Sequence, residues 1–84
     1  MFLWGDYNMR SNIILFTVEE EYLQASKKYP KFNSTHEGYA VIKEEVDELW
    51  DLVKANKGLK GNSELKKEAI QIAAMAIRFI EDLC

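Results

Sequence analysis

Cysteine, proline and glycine are scarce in this chain of 84 residues, which has one cysteine, one proline and four glycines. The single cysteine, Cys84, excludes a disulfide framework within the chain and a CxxC-type zinc site, and it fits a reducing compartment. The one proline, Pro30, marks the end of a helical run, because proline cannot continue a helix. Residues 64–83 contain neither proline nor glycine, which favours one long helix there.

The chain also lacks an excess of basic residues and a long apolar segment near its start. Its net charge is −3, so it has no basic face for duplex nucleic acid, although a free nucleotide bound with a metal is compatible with that charge. The apolar residues 1–4 are followed at once by polar ones, too soon for a signal-peptide core or a membrane span. We therefore expect a cytoplasmic protein that does not insert into a membrane.

The composition is that of one small folded domain. Apolar residues make up 48% of the chain, with two tryptophans, four tyrosines and four phenylalanines, which argues against disorder. A chain of this size buries only about 60% of its unfolded surface, so a lone monomer would be marginally stable. We expect one helical domain over residues 1–84, with residues 1–12 as an N-terminal tail.

The apolar spacing predicts a first helix over residues 13–29, which Pro30 ends. Ser34 followed by Glu37 is a capping-box pattern and predicts the start of a second helix over residues 35–55. Evidence for β-strands is thin, because the one β-friendly run merges into the pattern of the first helix.

A third helix is predicted over residues 64–83, after a loop at 56–62 that contains two glycines. Asn62 or Ser63 is its N-cap. A loop of that length joins antiparallel helices. The sequence thus predicts an all-α fold of three helices with one long antiparallel pair.

Two faces of the second helix have different characters. One has the 3,4 alternation of a helix-bundle seam, and we expect it to be core: Tyr39, Ile42, Val46, Leu49 and Val53. Trp50 lies beside that seam and is expected to pack rather than to stack on a base. Glu44 falls on the solvated charged face.

A third strip of the second helix places Glu45 and Glu48 between the apolar Val41 and Leu52. These two glutamates are expected to face protein. Neighbouring carboxylates in a partly dry site repel each other unless a cation compensates them, and a hard divalent ion is the simplest partner. Lysines of a neighbouring helix, or plain exposure, are the alternatives.

The third helix is apolar nearly all the way round from residue 69 to 80, which predicts that it is the centre of the bundle. Two short helices cannot cover it, so we expect a second subunit, in a homodimer or homotetramer. Two polar residues, Gln71 and Arg78, interrupt this apolar run. Gln71 is either a core amide with hydrogen-bond partners or a functional group. Arg78 is either a member of a buried ion pair or a phosphate contact.

The spacings Glu44-Glu45-x-x-Glu48 and Glu68-x-x-Gln71 resemble the EExxE and ExxD motifs of the MazG-like all-α nucleotide pyrophosphohydrolases, over roughly residues 29–82. The resemblance implies Mg²⁺ bound by Glu45, Glu48 and Glu68, and weakly by Gln71. It also implies hydrolysis of a nucleoside triphosphate between the α and β phosphates, which releases pyrophosphate and a monophosphate.

Gln71 stands where the family has aspartate, and the lost charge weakens the hold on a hard cation. A non-catalytic nucleotide-binding or dimerisation module derived from the same fold is therefore the alternative function.

For catalysis we expect Glu45 or Glu48 to orient or deprotonate the attacking water. Phosphate contacts are predicted at Lys54, Lys57, Lys60 and Arg78, with a solvated surface as the alternative for the three lysines.

Overall fold

The computed structural model describes residues 9–55 and 62–84, which form three helices: α1 (Met9–Lys28), α2 (Thr35–Lys54) and α3 (Ser63–Leu83). Those residues contain no strand, which confirms the all-α prediction for them. Helix α1 begins earlier than the sequence predicted, so that residues 9–12, assigned to the N-terminal tail, are helical. The bounds of α2 and α3 agree closely with the prediction.

The predicted caps define where α2 and α3 begin. Ser34 Oγ accepts the backbone N–H of Glu37 at 3.1 Å, and the Glu37 carboxylate accepts the N–H of Asn33 at 2.6 Å. This second bond differs from the usual capping box, in which the carboxylate binds the N-cap residue itself. Asn62 Oδ1 accepts two N–H groups from the first turn of α3, at 2.8 and 3.1 Å. Both caps thus satisfy backbone donors that the helices leave open.

Helix α3 lies at the centre of the chain, as its apolar pattern predicted. It packs against both α1 and α2, whereas α1 and α2 do not approach each other within 8 Å between Cα atoms of the described residues. The buried apolar residues come from α1, the α1–α2 connection and α3, and are Ala25, Phe32, Ala74 and Met75. Around α3, the two outer helices therefore leave a space between themselves.

Gly38 allows α2 and α3 to approach closely. A Cβ atom at this position would lie 2.6 Å from Cδ2 of Phe79 and 3.0 Å from Cδ1 of Leu83. Both distances are shorter than normal van der Waals contact, so any larger residue at position 38 would have to displace the Phe79 ring. The first turn of α2 consequently lies against the last turns of α3.

Arg78 ties the α1–α2 connection to α3. Its side chain is buried, its Nη2 donates to the carbonyl oxygen of Pro30 at 2.8 Å, and its guanidinium lies 4.5 Å from the ring centre of Phe32. Nη2 is also 4.0 Å from Oδ2 of Asp82, which accepts the N–H of Phe32 at 3.1 Å. The predicted role of Arg78 as a buried ion-pair member is confirmed.

The predicted seam of α2 is only partly core in the single chain: Ile42 packs against the buried cluster and Leu49 is half-buried. Tyr39, Val46 and Val53 are 62%, 43% and 47% exposed, and Trp50, which we expected to pack, is 55% exposed. The prediction was therefore wrong only for these four residues in the isolated chain, because apolar spacing shows that a face packs but not what packs on it. The strip that turns towards α3 instead carries Gly38 and the glutamates.

In residues 9–55 and 62–84, none of the three helices combines the length and the apolar character that a bilayer span requires.

Candidate metal centre

Three glutamates converge between α2 and α3. Glu45 and Glu48 lie one turn apart on α2, Glu68 faces them from α3, and one carboxylate oxygen from each lies within 4.8 Å of the others. Glu45 and Glu68 are half-buried, whereas Glu48 is exposed, contrary to the expectation that it faces protein. The sequence thus predicted which acidic residues meet, although Glu48 is more exposed to solvent than expected.

The Glu68 carboxylate has an oxygen that is left without a partner. Oε2 of Glu68 is buried, and no donor among the described residues lies within hydrogen-bonding distance of it. Buried polar atoms almost always have a partner, because desolvation without compensation is costly. When Glu45, Glu48 and Glu68 are all ionised, none of them has a proton to donate. The vacant acceptor therefore calls for a proton or a cation.

The electrostatics of the cluster favour protonation when no cation is present. Burial raises the pKa of Glu45 from 4.5 to about 7, and a hydrogen bond shared with Glu68 and repulsion from Glu48 add to the effect. The pKa of Glu48 is also raised, first by a hydrogen bond shared with Glu68 and then by repulsion from it. A group in this state binds a proton at neutral pH or a positive ion in its place.

The donor set suits a hard divalent cation such as Mg²⁺. Mg²⁺ prefers carboxylate oxygens at about 2.1 Å, which places adjacent ligand oxygens about 3.0 Å apart and opposite ones about 4.2 Å apart. Oxygens that already lie within 4.8 Å of one another need only small side-chain rotations to reach that spacing. The residues present therefore fit the group that the resemblance implies.

A large cavity opens on one side of the cluster, in the space between α1 and α2. Its volume is about 570 Å³, and Glu45 forms part of its wall. Gln71 and Glu44 line the same cavity, so Gln71 lies on the Glu45 side of the cluster. Whether its amide oxygen is a ligand stays a prediction.

A smaller cavity of about 340 Å³ lies on the other side, where Glu48 and Glu68 form part of its wall. Lys67 lines it as well. Lys67 was not selected from the sequence, because nothing in the spacing distinguished it from the other surface lysines. The available signal was its position directly before Glu68 in the sequence.

The predicted phosphate contacts have different positions. Lys54 is exposed, lies 3.5 Å from Asp51 and 5.9 Å from the ring centre of Trp50, and in the described part of the chain lines neither cavity. Lys57 and Lys60 lie outside the described residues. Arg78 reaches the large cavity, but its contacts with Pro30 and Asp82 give it a structural role. For Lys54 and Arg78, phosphate binding stays a prediction.

Helix α1 contributes a residue that the sequence reasoning missed. Glu21 lines the large cavity from α1, and Gln71 lines it from α3. Its position one turn before the buried Ala25 was the available signal, since residues four apart share a helix face.

Comparison of the chain with known protein families, with characterised proteins and with solved structures gives no match.

Proposed function

We propose that this protein is a Mg²⁺-dependent nucleoside triphosphate pyrophosphohydrolase of the MazG-like type. The observation that carries the proposal is the convergence of Glu45, Glu48 and Glu68 on one point, with Oε2 of Glu68 buried and unpartnered. Three carboxylates held together at this cost are hard to explain by stability alone, because the ionised cluster destabilises the chain unless a proton or a cation joins it. The spacing of the glutamates in the sequence, which resembles the EExxE and ExxD motifs, supports the same function.

In this proposal the three glutamates hold the cation, and one of the two on α2 also serves as the base. Glu45, Glu48 and Glu68 hold the cation, which when bound neutralises phosphate oxygens. A carboxylate oxygen of Glu45 or Glu48 that is not a ligand accepts a proton from the attacking water. Lys67 and the lysines predicted from the sequence are available to balance the charge of the departing pyrophosphate.

Gln71 supports the alternative, a non-catalytic nucleotide-binding or dimerisation module derived from the same fold. Its amide oxygen is a neutral ligand where the family has a charged one, which lowers affinity for a hard cation. Gln71 and Glu45 line the same cavity, so an aspartate at position 71 would add a negative charge to the wall that Glu45 shares. The substitution Gln71→Asp therefore separates the two functions.

The proposal includes the arrangement and assembly of the helices. Contacts of Gly38 with the end of α3, and of Glu45 and Glu48 with its first half, support an antiparallel α2–α3 pair. The exposed apolar residues of these two helices support cover by a second copy, in a homodimer or homotetramer: Tyr39, Val46, Trp50, Val53, Ile77 and Ile80. A cytoplasmic location is part of the proposal.

The test is pyrophosphate release from a panel of NTPs and dNTPs, with and without Mg²⁺. We expect metal-dependent release by the unaltered chain, and loss of about 100-fold or more in Glu45→Gln if this carboxylate serves as ligand and base. Asp47→Asn is the matched control, because Asp47 lies between the two glutamates on α2 but is exposed and pairs with Lys43 at 2.9 Å.

Two other outcomes would count against the enzyme. Release that is absent from the unaltered chain but appears in Gln71→Asp would favour the non-catalytic module. Equal release in Glu45→Gln and Asp47→Asn would show that the cluster is not the active site.

A further inference from the structure

The large cavity and the carboxylate cluster share a wall, which places a binding space next to the candidate cation. Glu45 contributes to both, and the cavity volume of about 570 Å³ falls in the range of small-molecule sites. Any ligand whose phosphates meet the cluster would have this cavity within reach of its other end. The cavity is also the larger of the two that adjoin the cluster.

The floor of the cavity is apolar. It is formed by Phe32 and Met75, which are 8% and 5% exposed, together with Ala25 and Val41. One face of the Phe32 ring is occupied by the Arg78 guanidinium, which fixes the ring in place. A floor of this kind favours a flat, uncharged ring over a phosphate group.

The rim of the cavity carries hydrogen-bond acceptors of negative charge. Four glutamates line the cavity, Glu21, Glu37, Glu44 and Glu45, against two cations. Nη2 of Arg78 is engaged by the carbonyl of Pro30, and Nζ of Lys28 lies 5.3 Å from the ring centre of Tyr29, so negative charge predominates. Such a rim repels phosphate and attracts N–H donors. A carboxylate accepts well from an exocyclic amino group, as glutamate does from the amino group of cytosine in nucleic-acid recognition.

We propose that this cavity binds the nucleobase of the substrate and favours bases with an exocyclic amino group over their oxo counterparts. The inference rests on the proposed function, which puts the phosphates at the cluster. Cytosine and adenine present an amino group to the rim, whereas uracil and hypoxanthine present a carbonyl oxygen there, which the carboxylates repel. Base preference is thus set by Glu21 and Glu44, one on each side of the cavity.

The test uses nucleosides, which have no phosphate and need no metal. Titration of the isotope-labelled full chain, followed by NMR, gives dissociation constants for cytidine, uridine, adenosine and inosine. We expect the amino member of each pair to bind about tenfold more tightly, the scale of one hydrogen bond to a charged group. Shifted signals should map to Ala25, Phe32 and Val41.

Matched variants locate the preference on the rim. Glu44→Gln and Glu21→Gln should each reduce the difference between cytidine and uridine, whereas Glu20→Gln, an exposed neighbour on α1, should leave it unchanged. Equal binding of the paired nucleosides, shifts that map elsewhere, or no nucleoside binding would each overturn the inference. Pyrophosphate release without any base preference would overturn the inference and leave the proposed function standing. Discrimination between the paired nucleosides without pyrophosphate release would support the base preference of the cavity and count against the proposed hydrolysis.

Discussion

At the scale of single residues, the site depends on carboxyl groups that the fold holds close enough together to repel one another when ionised. Glu68 contributes a buried oxygen with no partner, and burial, together with the nearby Glu68 and Glu48, raises the pKa of Glu45 to about 7. Ordinary surface glutamates avoid one another. The cluster therefore has stored repulsion that either protons or a cation would relieve.

This repulsion predicts how stability depends on pH in the absence of divalent cations. The pKa of Glu45 is about 7 in the folded chain against 4.5 for the unfolded one, so the folded chain binds more protons between these values. The contribution of Glu45 to stability is fully present below pH 4.5 and is lost as the pH rises through about 7. In chelator, the melting temperature should fall between pH 5 and pH 8 more steeply for the unaltered chain than for Glu45→Gln. Parallel pH profiles for the two would contradict this account.

Burial of Arg78 predicts a large loss of stability on its removal. Arg78→Met leaves the Pro30 carbonyl without its donor and the Asp82 carboxylate, 8% exposed, without its cation. Breaking a buried pair from one side lowers the free energy of unfolding by about 3–5 kcal/mol. Urea denaturation measures this, with Lys66→Met on the exposed surface of α3 as a control that should change it by less than about 0.5 kcal/mol.

A second substitution separates the lost ion pair from simple loss of packing. In Arg78→Met, adding Asp82→Asn removes the uncompensated charge and keeps an oxygen for the Phe32 N–H, so part of the stability should return. No recovery would mean that packing, and not charge, accounts for the effect.

At the scale of helices, the close contact at Gly38 fixes how α2 sits on α3. Gly38→Ala would gain about 1 kcal/mol from helix propensity, but its Cβ would overlap the Phe79 ring, and overpacking costs about 1–3 kcal/mol. We expect a net loss of about 1 kcal/mol in the free energy of unfolding, again from urea denaturation. The loss should shrink in a Phe79→Leu background. A more stable Gly38→Ala chain would show that the helices can separate freely.

The helices and their caps could be predicted from the sequence because the signals are local. Ser34 and Asn62 accept the N–H groups that follow them in the chain, and Pro30 acts on its own backbone. The three clustered glutamates were also predictable, since two share a helix face and the motif spacing supplied the third. The place of Glu21 and the exposure of Tyr39, Val46 and Val53 were not, because both depend on which helix packs where.

At the scale of the whole molecule, the exposed apolar residues of α2 and α3 predict self-association. Trp50→Asp should shift the protein towards monomer, because it puts a charge on the proposed contact between copies. Ser26→Asp is the control, since it adds the same charge at an exposed polar position of α1. Sedimentation equilibrium measures the change. A monomeric unaltered chain, or equal association of the two variants, would contradict the proposed assembly.

The central claim is that Glu45, Glu48 and Glu68 share one divalent cation. Titration with Mn²⁺, a paramagnetic substitute for Mg²⁺, followed by electron paramagnetic resonance, counts the ions bound per chain and allows Mg²⁺ to compete. The account predicts one site per chain that Mg²⁺ displaces, that Glu68→Gln abolishes, and that Glu81→Gln, an exposed glutamate on the same helix, retains. Binding of equal strength in Glu68→Gln and the unaltered chain, or no bound ion in either, would contradict it.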